Sequence, residues 1–263
     1  MRTLTLLNTF FAAVTLASTV QVANAQQANL QSLLESLPIT VRQLVVVTAD
    51  AWGSRDGVLL RLEKLNDGWH QDGNPVRVVF GRNGLAWGRG LQPDGLSGPE
   101  KREGDLKSPA GVFQLGPAFG YAGSPVLRTK LPYKPSTDRD YFVDDAASGE
   151  YNTWVTIAAS EPNSPESRWR SFERMRRGDG LYEYGVVVQQ NTNPVMPGKG
   201  SAIFLHIWRG RSTTTAGCTA MSKDDLIRLV EWLDPAQLPL LIQAPSSALA
   251  LLSAVRKPLG ASR

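Results

Sequence analysis

The sequence predicts a mainly β protein, a single domain with a few helices and long loops. Three observations lead there. From Gln43 onward short apolar or alternating runs of strand length follow one another. Turn residues such as Asn66-Asp67-Gly68 separate them, and glycine and proline stay dense from Gly81 to Pro135. Only one segment, after Ser222, carries a capped helical pattern of any strength.

The first residues follow an export pattern. Arg2 supplies a cation, Leu4 to Leu16 an apolar stretch, and Ala23-Asn24-Ala25 a small-residue cleavage site. Residues 1–25 therefore read as a signal peptide, which places the mature chain in the periplasm or cell-wall space. The apolar stretch is shorter than the about 20 residues a spanning helix needs, so no membrane anchor is expected. A lipid anchor on the new N-terminus would need a cysteine there, and the chain's single cysteine is Cys218.

Residues 26–42, closed by Pro38, read as a helix or tether, and residues 43–243 as the domain proper. Strands are expected over Leu44 to Thr48, Gly57 to Leu65 and Val76 to Phe80, with turns at 66–68 and at Asp72-Gly73-Asn74. The segment 81–135 reads as long loops between strands and not as helices. Later strands are expected over Trp154 to Ala158, Leu181 to Gln189 and Ala202 to Trp208. Immediately beyond Cys218, Ser222 with Asp225 three residues on starts a helix. Leu226, Leu229, Val230 and Leu233 share one face of it, and Asp234-Pro235 stops it. Leu238 to Gln243 reads as a last strand, and residues 244–263 as a tail.

The net charge of +4 comes with scattered basic residues, among them Arg168, Arg170, Arg174, Arg176 and Arg177. Aromatics do not alternate with them as a single-strand binding groove requires, so no nucleic-acid partner is expected. A cation-rich surface suits an anionic wall polymer equally well. One cysteine and two histidines far apart in sequence give no zinc spacing, so neither metal nor cofactor is expected.

A lone thiol in an exported chain is a candidate reactive group, with a buried apolar cysteine as its competitor. Cys218 ends the small-residue loop Thr215-Ala216-Gly217-Cys218, which should expose the thiol. There the backbone N–H groups of Gly217 and Cys218 can meet a developing oxyanion. Proximity to a helix N-terminus would favour the thiolate. His206 interrupts the apolar run Ile203 to Trp208 on the side opposite Leu205 and Ile207. A histidine one loop away from the sole cysteine is a candidate base for it.

His206, the loop and Gly217-Cys218 resemble the signature of the L,D-transpeptidase, or YkuD, catalytic domain. A second block agrees, since Lys101, Gly104-Asp105, Ser108-Pro109, Gly111 and Phe113 are similar to that family's other conserved segment. The resemblance covers roughly 77–243, with 43–76 read as an N-terminal elaboration. It implies a β-sandwich-like fold and a thioester acyl-enzyme on Cys218 with His206 as general base. It also implies acyl transfer from peptidoglycan stem peptides to an amine acceptor. With water as acceptor, the same pair would serve an L,D-carboxypeptidase or amidase. A non-catalytic wall-binding module would keep the two residues as relics.

Many family members carry histidine and arginine where this chain has Ala216 and Ala220. Arg209 and Arg211, between base and nucleophile, could restore a cation for substrate carboxylates. Trp208, Met175 and Tyr184 are candidates to line the pocket. Asp105 and Ser108 read as residues that pin a loop.

Overall fold

The computed structural model describes residues 29–122, 128–253 and 255. The expected signal peptide lies outside the described residues. A helix, α1 (residues 29–36), opens the described chain. Leu33, Leu34 and Leu37, at the end of and just beyond α1, are buried in the main core, so this segment docks on the domain.

The first three strands run as a meander, β1 (Gln43–Ala49), β2 (Asp56–Leu65) and β3 (Gly68–Val79). The stretch 43–76 thus supplies adjacent strands of the main sheet. The uninterrupted Leu44 to Val47 run is buried throughout, as in a strand covered on both faces. Residues 66–67 form the β2–β3 turn, with Gly68 at φ 135°. The second turn signal, 72–74, does not end a strand. The β2–β3 register shifts between Leu59 and Arg61, and Gly73 sits at φ 72° inside the continuing strand. A glycine in the left-handed region serves a bulge as well as a turn, and short-range sequence does not separate the two.

The glycine- and proline-rich segment carries strands between its loops, although its sequence placed none of them individually. It holds β4 (Leu85–Trp87), the longest strand of the fold, β5 (Ser108–Gly120), and β6 (Tyr133–Pro135). Gly111 of β5 has φ 147°, and a Cβ there would lie 2.6 Å from Gln92 Oε1, so close packing explains this glycine within a strand. Three short strands follow, β7 (Asp140–Val143), β8 (Trp154–Thr156) and β9 (Phe172–Arg174). The chain then returns through β10 (Tyr184–Val188), β11 (Phe204–Ile207), β12 (Thr219–Met221), α2 (Lys223–Trp232) and β13 (Leu240–Pro245). The tail continues β13 through Ala244 and Pro245 and turns through a 3-10 segment, Ser246–Leu252.

The main sheet runs β10-β11-β12-β3-β2-β1-β13-β5-β4, with β6 on β5. Because β10 also pairs with β5, the ladder returns on itself, and its inner strands leave no open edge there. The fold is mainly β and sandwich-like, as expected. The remaining strands, in the order β8-β7-β9, form a small separate sheet, here called the cap.

The main core joins β1, β13 and β5 to the apolar face of α2, where Leu226, Leu229 and Val230 are buried. Ser222 caps that helix by accepting from the Asp225 N–H at 3.2 Å, as its sequence predicts. The helix does not follow Cys218 directly, since β12 intervenes. A second apolar cluster, which includes Phe119, Phe142, Tyr182, Phe204 and Cys218, joins the main sheet to the cap. Inside the cap, the buried Asp140 carboxylate gathers Thr137, Trp154 and Thr156 around it as hydrogen-bond donors.

Candidate active site

Alternation along β11 sets up the site. Leu205 is fully buried in the main core, whereas Phe204 packs in the cluster between sheet and cap and His206 lines a cavity of about 330 Å³. The parallel pairing of β11 with β12 sets His206 against Ala220, two residues beyond Cys218. Cys218 and Gly217 line the same cavity.

The cysteine loop is held from several directions. Thr215 Oγ1 donates to the Cys218 carbonyl at 2.6 Å and accepts from the Gly217 N–H at 3.1 Å. Ser108 Oγ, wholly buried, donates to that same carbonyl at 2.8 Å and accepts from the Gly81 N–H at 2.9 Å. Thr215 is tied in turn to the end of β3, through its N–H to the Phe80 carbonyl at 2.9 Å. Beside the loop, Asp105 receives Lys101 Nζ at 2.5 Å and the backbone N–H groups of Arg102 and Lys107 at 2.8 and 2.9 Å. Ser108 and Asp105 both pin loops, as their sequence context suggested.

The thiol departs from expectation in two respects. It is buried, with only 7% of the residue exposed, and it lies away from a helix N-terminus because β12 intervenes. Sγ accepts from the Phe204 N–H at 3.3 Å and lies 3.4 Å from the Ala202 carbonyl, to which it can donate. Burial pushes the thiol up to about 12, against which the Phe204 N–H works, while the Glu173 carboxylate reinforces the rise.

His206 is buried as well. Burial draws its pKa down to about 4, opposed by the hydrogen bond to the Ile207 carbonyl and aided by the Arg177 charge. That bond, Nδ1 to Ile207 oxygen at 2.8 Å, requires the proton on Nδ1 and so puts the lone pair on Nε2. The Tyr182 ring packs edge-on against His206 with centroids 5.2 Å apart, and against Phe204 at 5.4 Å. At neutral pH the resting pair is therefore a thiol and a neutral imidazole.

A model of the L,D-transpeptidase catalytic domain matches residues 66–242. The chain belongs to the L,D-transpeptidase catalytic domain family. Two solved structures resemble it. One is the helical cell shape determining protein Pgp2 from Campylobacter jejuni, 14% identical over 86% of this chain and 60% of that one, with a TM-score of 0.35. The other is a mutant of that protein, 15% identical over 81% of this chain and 52% of that one, with the same TM-score. The chain thus spans between half and three fifths of those proteins. A comparison with curated proteins finds no match.

In this transpeptidase-family domain the cavity brings together Cys218, His206, Gly217, Trp208 and Arg209. Three other candidates fall outside its lining. Met175 is fully buried in the cluster between sheet and cap, Tyr184 lies under the Lys223 ammonium, and Arg211 is an exposed loop residue. Arg209 reaches the cavity but pairs with Asp179 at 2.8 Å. Sequence reasoning gave no site role to Tyr182, Glu173, Asp144 and Arg177, which line the cavity from the cap side, nor to Glu103 on the opposite loop. These cap-side residues lie 24 or more positions upstream of the base, and no local motif announces them.

Proposed function

We propose that this domain is a cysteine-dependent acyltransferase acting on peptidoglycan stem peptides outside the cytoplasm, an L,D-transpeptidase in cell-wall cross-linking or remodelling. The observation that carries this reading is the joint presence of Cys218 and His206 on one cavity, with the imidazole held in the tautomer that makes Nε2 basic. Cys218 is the nucleophile and His206 the general base.

Because the resting pair is neutral, proton transfer accompanies attack. Nε2 takes the Sγ proton as sulfur bonds to the carbonyl carbon at the L-centre of the donor peptide. The oxyanion so formed needs a donor. Of the two expected, the Gly217 N–H is taken by Thr215 Oγ1, so we assign the Cys218 N–H. Collapse expels the terminal D-residue as an amine, which receives the proton from the His206 imidazolium, and a thioester remains on Cys218. An acceptor amine then attacks the thioester and regenerates the thiol.

Incubation of the purified protein with muropeptides, followed by mass analysis, tests this reading. Cross-linked dimers support transfer. Shortened peptide alone reassigns the enzyme as a hydrolase, and unchanged substrate overturns the proposal.

A further inference from the structure

The cations of the cavity differ in what they can offer a ligand. Lys101 is 4% exposed at its side chain and held by Asp105 and the Arg102 carbonyl. Arg209 is more than half exposed and, among the described residues, makes a single bond, to Asp179. Arg177 is both fixed and reachable. Nε and Nη2 donate to the two oxygens of Asp179 at 3.0 and 2.8 Å, Nη1 donates to Glu173 at 3.2 Å, and the guanidinium lies over the Tyr182 ring at 5.1 Å. Its side chain nevertheless keeps 30% of its surface exposed.

A guanidinium carries five N–H donors. Among the described residues these three bonds engage three of them, which leaves one on Nη1 and one on Nη2 for a further acceptor. The Tyr182 ring links this cation to the chemistry, since it packs against His206 and lies under the Arg177 guanidinium. Arg177 lines the same cavity as Cys218 and His206, and its charge acts on both of them.

We propose that Arg177 is the residue that binds the terminal carboxylate of the peptide substrate, on the leaving-group side of the scissile bond. The inference rests on the function proposed above and extends it to one substrate group. Asp179 and Glu173 hold the fork in place, and binding costs little rearrangement of the side chain. The cap, which brings Arg177 to the cavity, thereby selects peptides with a free C-terminus.

The test uses a stem tetrapeptide and its terminal amide, with binding measured by calorimetry to Cys218→Ala, which cannot turn over. Amidation should weaken binding on the order of 10- to 100-fold, the worth of a charge-assisted hydrogen bond. In Cys218→Ala with Arg177→Gln the free acid should bind as weakly as the amide, and amidation should cost nothing more. Arg177→Lys keeps the charge but loses the fork. It should fall between the two, and it carries the comparison if Arg177→Gln does not fold. Independent, additive losses from amidation and mutation overturn the proposal, as does failure of the free acid to bind Cys218→Ala. The coupled pattern without any turnover by the unsubstituted protein would leave the Arg177 assignment standing and remove the proposed function instead.

Discussion

The backbone N–H of Phe204 donates to Cys218 Sγ at 3.3 Å, and Phe204 stands two residues before His206 on β11. Residues two apart on a strand project to the same side. One strand therefore grips the thiol through its backbone and carries the imidazole two residues on, with Tyr182 packed against the Phe204 and His206 rings. This places nucleophile and base under one apolar cover and explains why both are neutral at rest.

Reactivity should report that neutrality. With the thiol at about 12 and the imidazole at about 4, the alkylation rate of Cys218 by iodoacetamide should climb steadily from pH 6 to pH 10. A plateau near neutral pH would mean a thiolate–imidazolium pair instead. His206→Ala should lower muropeptide turnover by a factor on the order of 10² to 10⁴ while the fold persists.

Stability should depend on pH through the same histidine. Unfolded, it binds a proton below its ordinary value of 6.5, whereas folded it does so only below about 4. Between these values the unfolded state holds the extra proton, so stability falls as the pH drops through that window, by up to about 3 kcal/mol. Denaturant melts of the protein and of His206→Gln at pH 7 and pH 4 check this, because the variant should lose less on acidification.

Ser108→Ala should be costly for a small change. It leaves the Gly81 N–H and one bond to the Cys218 carbonyl unmade in a buried site. A loss of about 2 kcal/mol is expected, read as a lower thermal midpoint, together with slower acylation as the cysteine loop relaxes.

Asp105→Ala should cost more. Lys101 would keep its charge at 4% exposure with no carboxylate, and the loop N–H groups of Arg102 and Lys107 would lose their acceptor. Breaking a buried pair in this way costs about 3 to 5 kcal/mol. Replacing both residues, Lys101→Met with Asp105→Asn, should recover part of it, and equal losses in the single and double variants would contradict the pairing argument.

Arg211→Ala should leave kinetics unchanged, since the side chain lies outside the cavity. Steady-state rates on a muropeptide substrate decide this. A clear loss would return Arg211 to the site.

What the sequence by itself determined lies within short range. Apolar runs placed β1, β2, β10, β11 and β13, because burial of a strand face needs an alternating or continuous apolar pattern. Ser222 and Asp225 placed the start of α2, because the orphan N–H groups of a first turn need a local acceptor. The lone cysteine in its small-residue loop and the histidine in an apolar strand stood out locally, and one family motif paired them. Where glycines carry left-handed or tightly packed backbone inside a strand, as at Gly73 and Gly111, the local signal pointed to turns and loops, and β5 was missed.

Tertiary structure alone decided the rest. A thiol in a small-residue loop reads as exposed, yet the cap folds over Cys218 and removes it from water, which raises its pKa where a helix N-terminus would have lowered it. Arg177, Glu173 and Tyr182 are ordinary residues in their own segment, and they join the site only because that segment packs on the cluster around Phe204. Desolvation and charge act through space over a few ångströms, whereas a motif records only neighbours along the chain, so the identity of the reacting pair was legible and its environment was not.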